Sequence, residues 1–171
     1  MRALGIIILL ILVFSLQTTV LRLIEIGGVR PDLITIAIVF IGYHFPRGNS
    51  ILAGGLLGLA QDALSGGIIG MNMLSKGLIG FCVVFLKESI ILENFFSQFF
   101  LIAGATVLEG LAFQFLSDAF PMIHLADGFW KDVAISALYN GSAGPIGFFI
   151  LRRKIAGPAG SKLFHIEDVP S

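Results

Sequence analysis

Apolar residues run almost without interruption along this chain, and the polar positions that break the runs predict six helices. The first run, 3–21, reaches the roughly 20 residues that cross a hydrocarbon core of about 30 Å. Met1-Arg2 ahead of it looks like the start of a secretory signal, yet no small-x-small cleavage site precedes Gln17-Thr18-Thr19. It is read as a retained first span. A polar loop with Arg22, Glu25, Gly27, Gly28 and Arg30 leads to Pro31-Asp32, a pair suited to the first turn of a helix. The second span is predicted over 32–45 and ends at the turn formers Pro46-Arg47-Gly48-Asn49. It is short for a bilayer crossing, which implies burial among the other helices or local thinning of the membrane.

The third and fourth spans, 50–64 and 71–86, are separated only by Ser65-Gly66-Gly67 and Gly70, so they form a tight hairpin. Lys87, Glu88, Glu93 and Asn94 make the next connection, and the fifth span covers 95–116. Residues 117–132 include Pro121, His124, Asp127, Trp130 and Lys131, a mixture expected at the water boundary. The sixth span, 133–151, carries Asn140-Gly141 and Gly144-Pro145, so a kink is expected near its middle. The fold class is thus an all-α integral membrane bundle, with one domain over 1–154 and a flexible cytoplasmic tail over 155–171. Basic residues set its orientation. Arg2, Arg47, Lys87, Arg152, Arg153, Lys154 and Lys162 fall on one side, against Arg22, Arg30 and Lys131 on the other, which places both termini in the cytoplasm.

Composition agrees with the pattern: 56% of the 171 residues are hydrophobic and 13% are charged, and mean hydropathy is +0.95. A formal net charge of zero offers no field for nucleic acid. Cys82 is the one cysteine, so neither a disulfide framework nor a thiolate metal cluster is expected. His44 and His124 form no metal-ligand spacing, and no nucleophile elbow, P-loop or dinucleotide glycine pattern occurs. No catalytic residue, metal or cofactor is expected.

The exceptions to the greasy pattern are concentrated in GGLLGLAQDALSGGIIGMNMLSK, residues 54–76. On a helix, Gly54, Gly55, Gly58, Gln61, Asp62 and Ser65 share an arc of roughly 120°, opposite Leu56, Leu59, Ala60 and Ala63. That is a small, polar packing face backed by a lipid-facing one. Gly54/Gly58 and Gly66/Gly70 are small-xxx-small spacings of the kind that let helices approach closely. Asn72, Lys76 and Gly80 share a face of the next span, which puts an amide beside Lys76. With both termini cytoplasmic, Asp62 and Lys76 fall at matching depth in the outer half and are expected to meet. Glu109 reaches a similar depth without an assigned partner, and Arg30 and Asp32 sit at the outer mouth of the second span. A charge at mid-helix costs roughly 2.5–3.5 kcal/mol to insert, so such residues face the bundle interior and find partners. The cluster is open to two readings: a satisfied structural ion pair, or an interaction site, ligand cavity or ion path.

Three stretches carry a family resemblance: Gly28-Val29-Arg30-Pro31-Asp32-Leu33, Gly58-Leu59-Ala60-Gln61-Asp62-Ala63-Leu64-Ser65 and Gly70-Met71-Asn72-Met73-Leu74-Ser75-Lys76. In order, spacing and six-span length the chain resembles the rod shape-determining MreD family, with further support from Asn140 and Pro145 in the last span. The resemblance implies a non-enzymatic inner-membrane component of the bacterial cell-elongation machinery. It implies MreC as partner, with MreB, RodA and a transpeptidase in the same complex and homo-oligomerisation open. It also implies a six-helix bundle similar to the S components of vitamin transporters, with a cavity open outward. On that basis Arg30, Asp32, Asp62, Asn72 and Lys76 hold the outer half together or shape a cleft for a partner segment. The rival reading is an S component proper, with Asp62, Lys76 and Glu109 on a small ligand. Helix one holds only Ala3 in place of the Ala-xxx-Ala pair that docks a transport motor, which counts against it.

Overall fold

Asp32 opens the first described helix of the computed structural model, which describes residues 25, 28–45, 47–65, 68–89, 94–120 and 124–155. The predicted first span, 3–21, and residues 156–171 of the tail lie outside these residues. Pro31 precedes the helix, and Asp32 Oδ1 accepts from the backbone N–H of Ile34 at 2.8 Å and of Thr35 at 3.2 Å. These are two of the orphan donors that every helix start must satisfy. We number the described helices from here: α1 Leu33–His44, α2 Arg47–Ser65, α3 Met71–Leu86, α4 Phe95–Ala119 and α5 Phe129–Ile155. Relative to the sequence boundaries, α2 begins earlier, α4 runs on to Ala119, and α5 begins at Phe129 inside the expected boundary segment. Helix α5 continues through Pro145 as one element.

Length sorts these helices. Among the described residues, α4 and the stretch Phe129–Ile150 of α5 are long and apolar enough to cross a membrane. Helix α1 has 12 residues, about 18 Å at 1.5 Å per residue, which is too short to cross alone. It is instead the centre of the core: Ile34, Ile36, Ile38, Val39 and Phe40 are all buried, packed with Ile79, Val83, Ile102 and Phe148. By contrast Leu52, Leu56 and Leu64 on α2, Phe96, Phe100 and Phe115 on α4, and Leu138, Ile146 and Phe149 on α5 are exposed. An apolar exterior around a core that also holds charge is the distribution expected of a protein solvated by lipid.

Helices α2 and α3 make the closest pairing, antiparallel and backbone to backbone. A Cβ added at Gly54 would collide with the Lys76 carbonyl, one at Gly58 with the Asn72 carbonyl, and one at Gly80 with the Ser50 carbonyl. Ser50 Oγ donates to Gly80 O across the same seam at 3.1 Å. Steps of four along α2 therefore meet steps of four back along α3. Because the obstructing atoms are main chain, they cannot yield without moving a helix. Gly58→Ala is expected to destabilise the protein by about 1–3 kcal/mol, the usual range for overpacking. Gly55→Ala, where a Cβ meets nothing within 4 Å, should be neutral or slightly stabilising through helix propensity. Melting temperatures of the two variants in one detergent check this contrast.

One expectation for glycine needs correction. Gly70 is not a packing residue: a Cβ there meets nothing within 4 Å, and its φ of +108° makes it a left-handed N-cap to α3. Gly66 lies outside the described residues. Helices α4 and α5 form the second antiparallel pair, with Gly110 against Val133, Gly141 against the Phe99 ring and Gly144 against Ile102.

Because successive helices alternate in direction, the starts of α1, α3 and α5 and the ends of α2 and α4 all gather at one end of the bundle. At the opposite end Lys87 Nζ donates to Phe45 O at 3.0 Å, while His44 stacks on Phe40 with ring centroids 4.2 Å apart.

Candidate functional site

Lys76 has no exposed surface, so each of its three N–H donors needs a partner inside the protein. Its Nζ donates to Asp32 Oδ2 at 2.7 Å, to Thr35 Oγ1 at 3.0 Å and to Glu109 Oε1. Thr35 Oγ1 in turn donates to Glu109 Oε2 at 2.9 Å. One ammonium on α3 thus joins two carboxylates, one at the start of α1 and one on α4. The network continues to α5. The Asp32 N–H donates to Asn140 Oδ1 at 2.7 Å, and Asn140 Nδ2 donates to Thr106 Oγ1 at 3.0 Å. Thr106 passes its own proton back to Ile102 O at 3.0 Å.

The expected pairing of Asp62 with Lys76 is therefore corrected: Asp62 caps the start of α3. Its Oδ2 accepts from Gly70 N at 2.8 Å and Met73 N at 3.1 Å, and its Oδ1 from Asn72 N at 3.0 Å and Asn72 Nδ2 at 2.8 Å. Gly70 has no side chain with which to cap its own helix, and a carboxylate from the neighbouring helix supplies what is missing. The positive end of the α3 dipole favours the negative charge there. The Asn72 amide consequently serves Asp62 and not Lys76. Glu109, left without a partner by the sequence, finds Lys76 and Thr35. Arg30 stands apart from both groups, paired with Glu25 at 2.6 Å on an exposed edge. Pro145 is buried within α5, and Asn140 acts through its hydrogen bonds.

The Lys76 network borders a cavity of about 560 Å³ between α1, α2, α4 and α5. Asp32, Glu109 and Asn140 lie on its wall, Phe113, Phe129 and Val133 give it apolar surface, and the exposed Arg30 and Ser65 mark its rim. Gln61 lines it as well, and among the described residues its Oε1 is the buried side-chain polar atom with no hydrogen-bond partner. Sequence reasoning did not single out Thr35, Thr106 or Ser136. Thr35 lies three residues after Asp32, on its face of α1, and that spacing was the available signal. A second cavity of about 530 Å³, between α3 and α4, is lined mostly by apolar residues such as Ile79, Phe96 and Leu101. Among the described residues no group of three or more His, Cys, Asp or Glu side chains is placed to hold a metal ion.

An apolar exterior, two helices of membrane-crossing length and a charge network held between the helices fit an α-helical membrane protein. Comparison with known proteins makes this specific: the model of the family described as rod shape-determining protein MreD matches residues 1–140. The chain belongs to that family, which makes it a rod shape-determining membrane component. No curated protein and no solved structure gave a significant match.

Proposed function

We propose that the protein is a non-enzymatic component of the bacterial cell-elongation complex, supporting cell shape and peptidoglycan synthesis by binding MreC, with MreB, RodA and a transpeptidase in the same complex. In this reading it crosses the inner membrane six times, with both termini cytoplasmic and a bundle similar to that of S components. The end that gathers the starts of α1, α3 and α5 then faces outward. The observation that carries the proposal is the Lys76 network, which fixes four helices at that end around a wall of the cavity. Asp62 and Asn72 hold the α2–α3 hairpin beside it. A rigid, partly polar recess suits the capture of a partner segment.

Purification of the tagged full chain from its native membrane in mild detergent, followed by mass spectrometry, tests this proposal. MreC, RodA or a transpeptidase is expected among the retained proteins. Recovery of an ATP-driven transport motor, or of a tightly held small molecule without any cell-wall partner, would overturn the proposal in favour of an S component.

A further inference from the structure

The cavity beside Glu109 has acceptors to spare. Glu109 Oε1 and Oε2 each receive one hydrogen bond, from Lys76 and Thr35, and a carboxylate oxygen has room for two. Asp32 adds a second carboxylate to the wall, and Phe113 and Phe129 give the same space aromatic surface. An occupant that completes this site carries N–H donors and positive charge on an apolar stem. Its head would meet the carboxylate, and the ring faces would favour the cation.

Depth selects among bearers of such a group. Glu109 lies about ten residues before the end of α4, or ~15 Å at 1.5 Å per residue, and Asn140 is about as far from the start of α5. A phospholipid amine is held at the level of the headgroups, and its tails must stay in hydrocarbon. A lysine or arginine side chain on a polypeptide segment can enter end-on past Arg30 and Ser65 and reach that depth.

We propose that this cavity receives a basic side chain, Lys or Arg, flanked by apolar residues on a segment of the partner protein. The inference rests on the partner-binding reading above and specifies its chemistry. Ser136 offers the test, since it lines the cavity and takes no part in the Lys76 network. Ser136→Lys places a competing ammonium from the chain itself in the site, whereas Ser136→Glu adds similar bulk with the opposite charge. In the full chain, in its native membrane, Phe113 is replaced by the photoreactive analogue p-benzoylphenylalanine, and its crosslinks are mapped by mass spectrometry.

The expected adduct is a partner peptide containing Lys or Arg. Ser136→Lys should reduce that adduct at least tenfold, because like charges juxtaposed at an interface repel strongly, and Ser136→Glu should preserve it. Adducts confined to phospholipid or to this chain would overturn the proposal. So would equal losses in the two variants, which would indicate bulk and not charge, or no loss in either. Co-purification of MreC without any crosslink at position 113 would overturn this inference and leave the proposed function standing. Failure of every cell-wall partner to co-purify with the unaltered chain would remove both.

Discussion

Lys76→Met is expected to cost about 3–5 kcal/mol of stability, the range for breaking a buried ion pair by removing one partner. The methionine fills the space of the lysine stem, so little of the loss comes from packing. What remains is electrostatic. Asp32 and Glu109, whose side chains are 19% and 13% exposed, would lose the ammonium that holds them together. Neutralising one carboxylate at the same time should restore part of the loss, so Lys76→Met with Glu109→Gln is expected to melt above Lys76→Met alone. The amide that replaces the Glu109 carboxylate can still accept the Thr35 proton, and Asp32 keeps its cap on α1. Melting in one detergent at one salt concentration checks the order. A double variant no more stable than the single one would mean that Glu109 and Lys76 are not energetically coupled.

Asp62→Ala is expected to cost about 3 kcal/mol, because it strips a cap and leaves several partly buried donors without their acceptor, and a buried unsatisfied donor costs about 1–3 kcal/mol. Three backbone N–H groups at the start of α3 and the Asn72 amide lose their acceptor together. Asp62→Asn should recover part of this, since its amide keeps one acceptor oxygen, but it supplies no charge to the helix dipole. The pairing matters for the double variant. Asp62 and Lys76 share no hydrogen-bond partner, so Asp62→Ala combined with Lys76→Met should show the sum of the two losses. If the two charges formed one pair, the double variant would instead be less damaged than the sum. Hydrogen exchange of the Met71–Lys76 amides separates the two sites further. Asp62→Ala should expose the first turn of α3, and Lys76→Met should affect it less.

Membership of a rod shape-determining family gives these energies a functional setting. The Lys76 network ties α1, α3, α4 and α5 at one end, and the Asp62 cap anchors α3 to α2 there. Loss of either loosens the wall of the cavity proposed to receive the partner. A variant that still reaches the membrane but no longer retains its partner would separate this role from folding itself.

Periodicity alone determined a good deal about this molecule. Hydrophobic runs and their polar interruptions located the five described helices to within a few residues at most ends, because lipid and core both exclude polar side chains and the helix period is fixed. The spacing of Gly54 and Gly58, and of Asn72, Lys76 and Gly80, marked the two faces that meet across the α2–α3 hairpin, since a short connection forces antiparallel neighbours. Depth along the helices also brought Asp32, Asp62, Lys76 and Glu109 to one end. Depth, however, is a single coordinate. Which charge meets which depends on the rotation of each helix and on contacts between helices far apart in the chain, and only the tertiary structure decided that. With Gly54 opposite Lys76, Asp62 lies two turns further along α2, past the first residue of α3, where it faces backbone N–H groups and not the ammonium. Lys76 is thereby left to Asp32 and Glu109, from helices that no local pattern links to it.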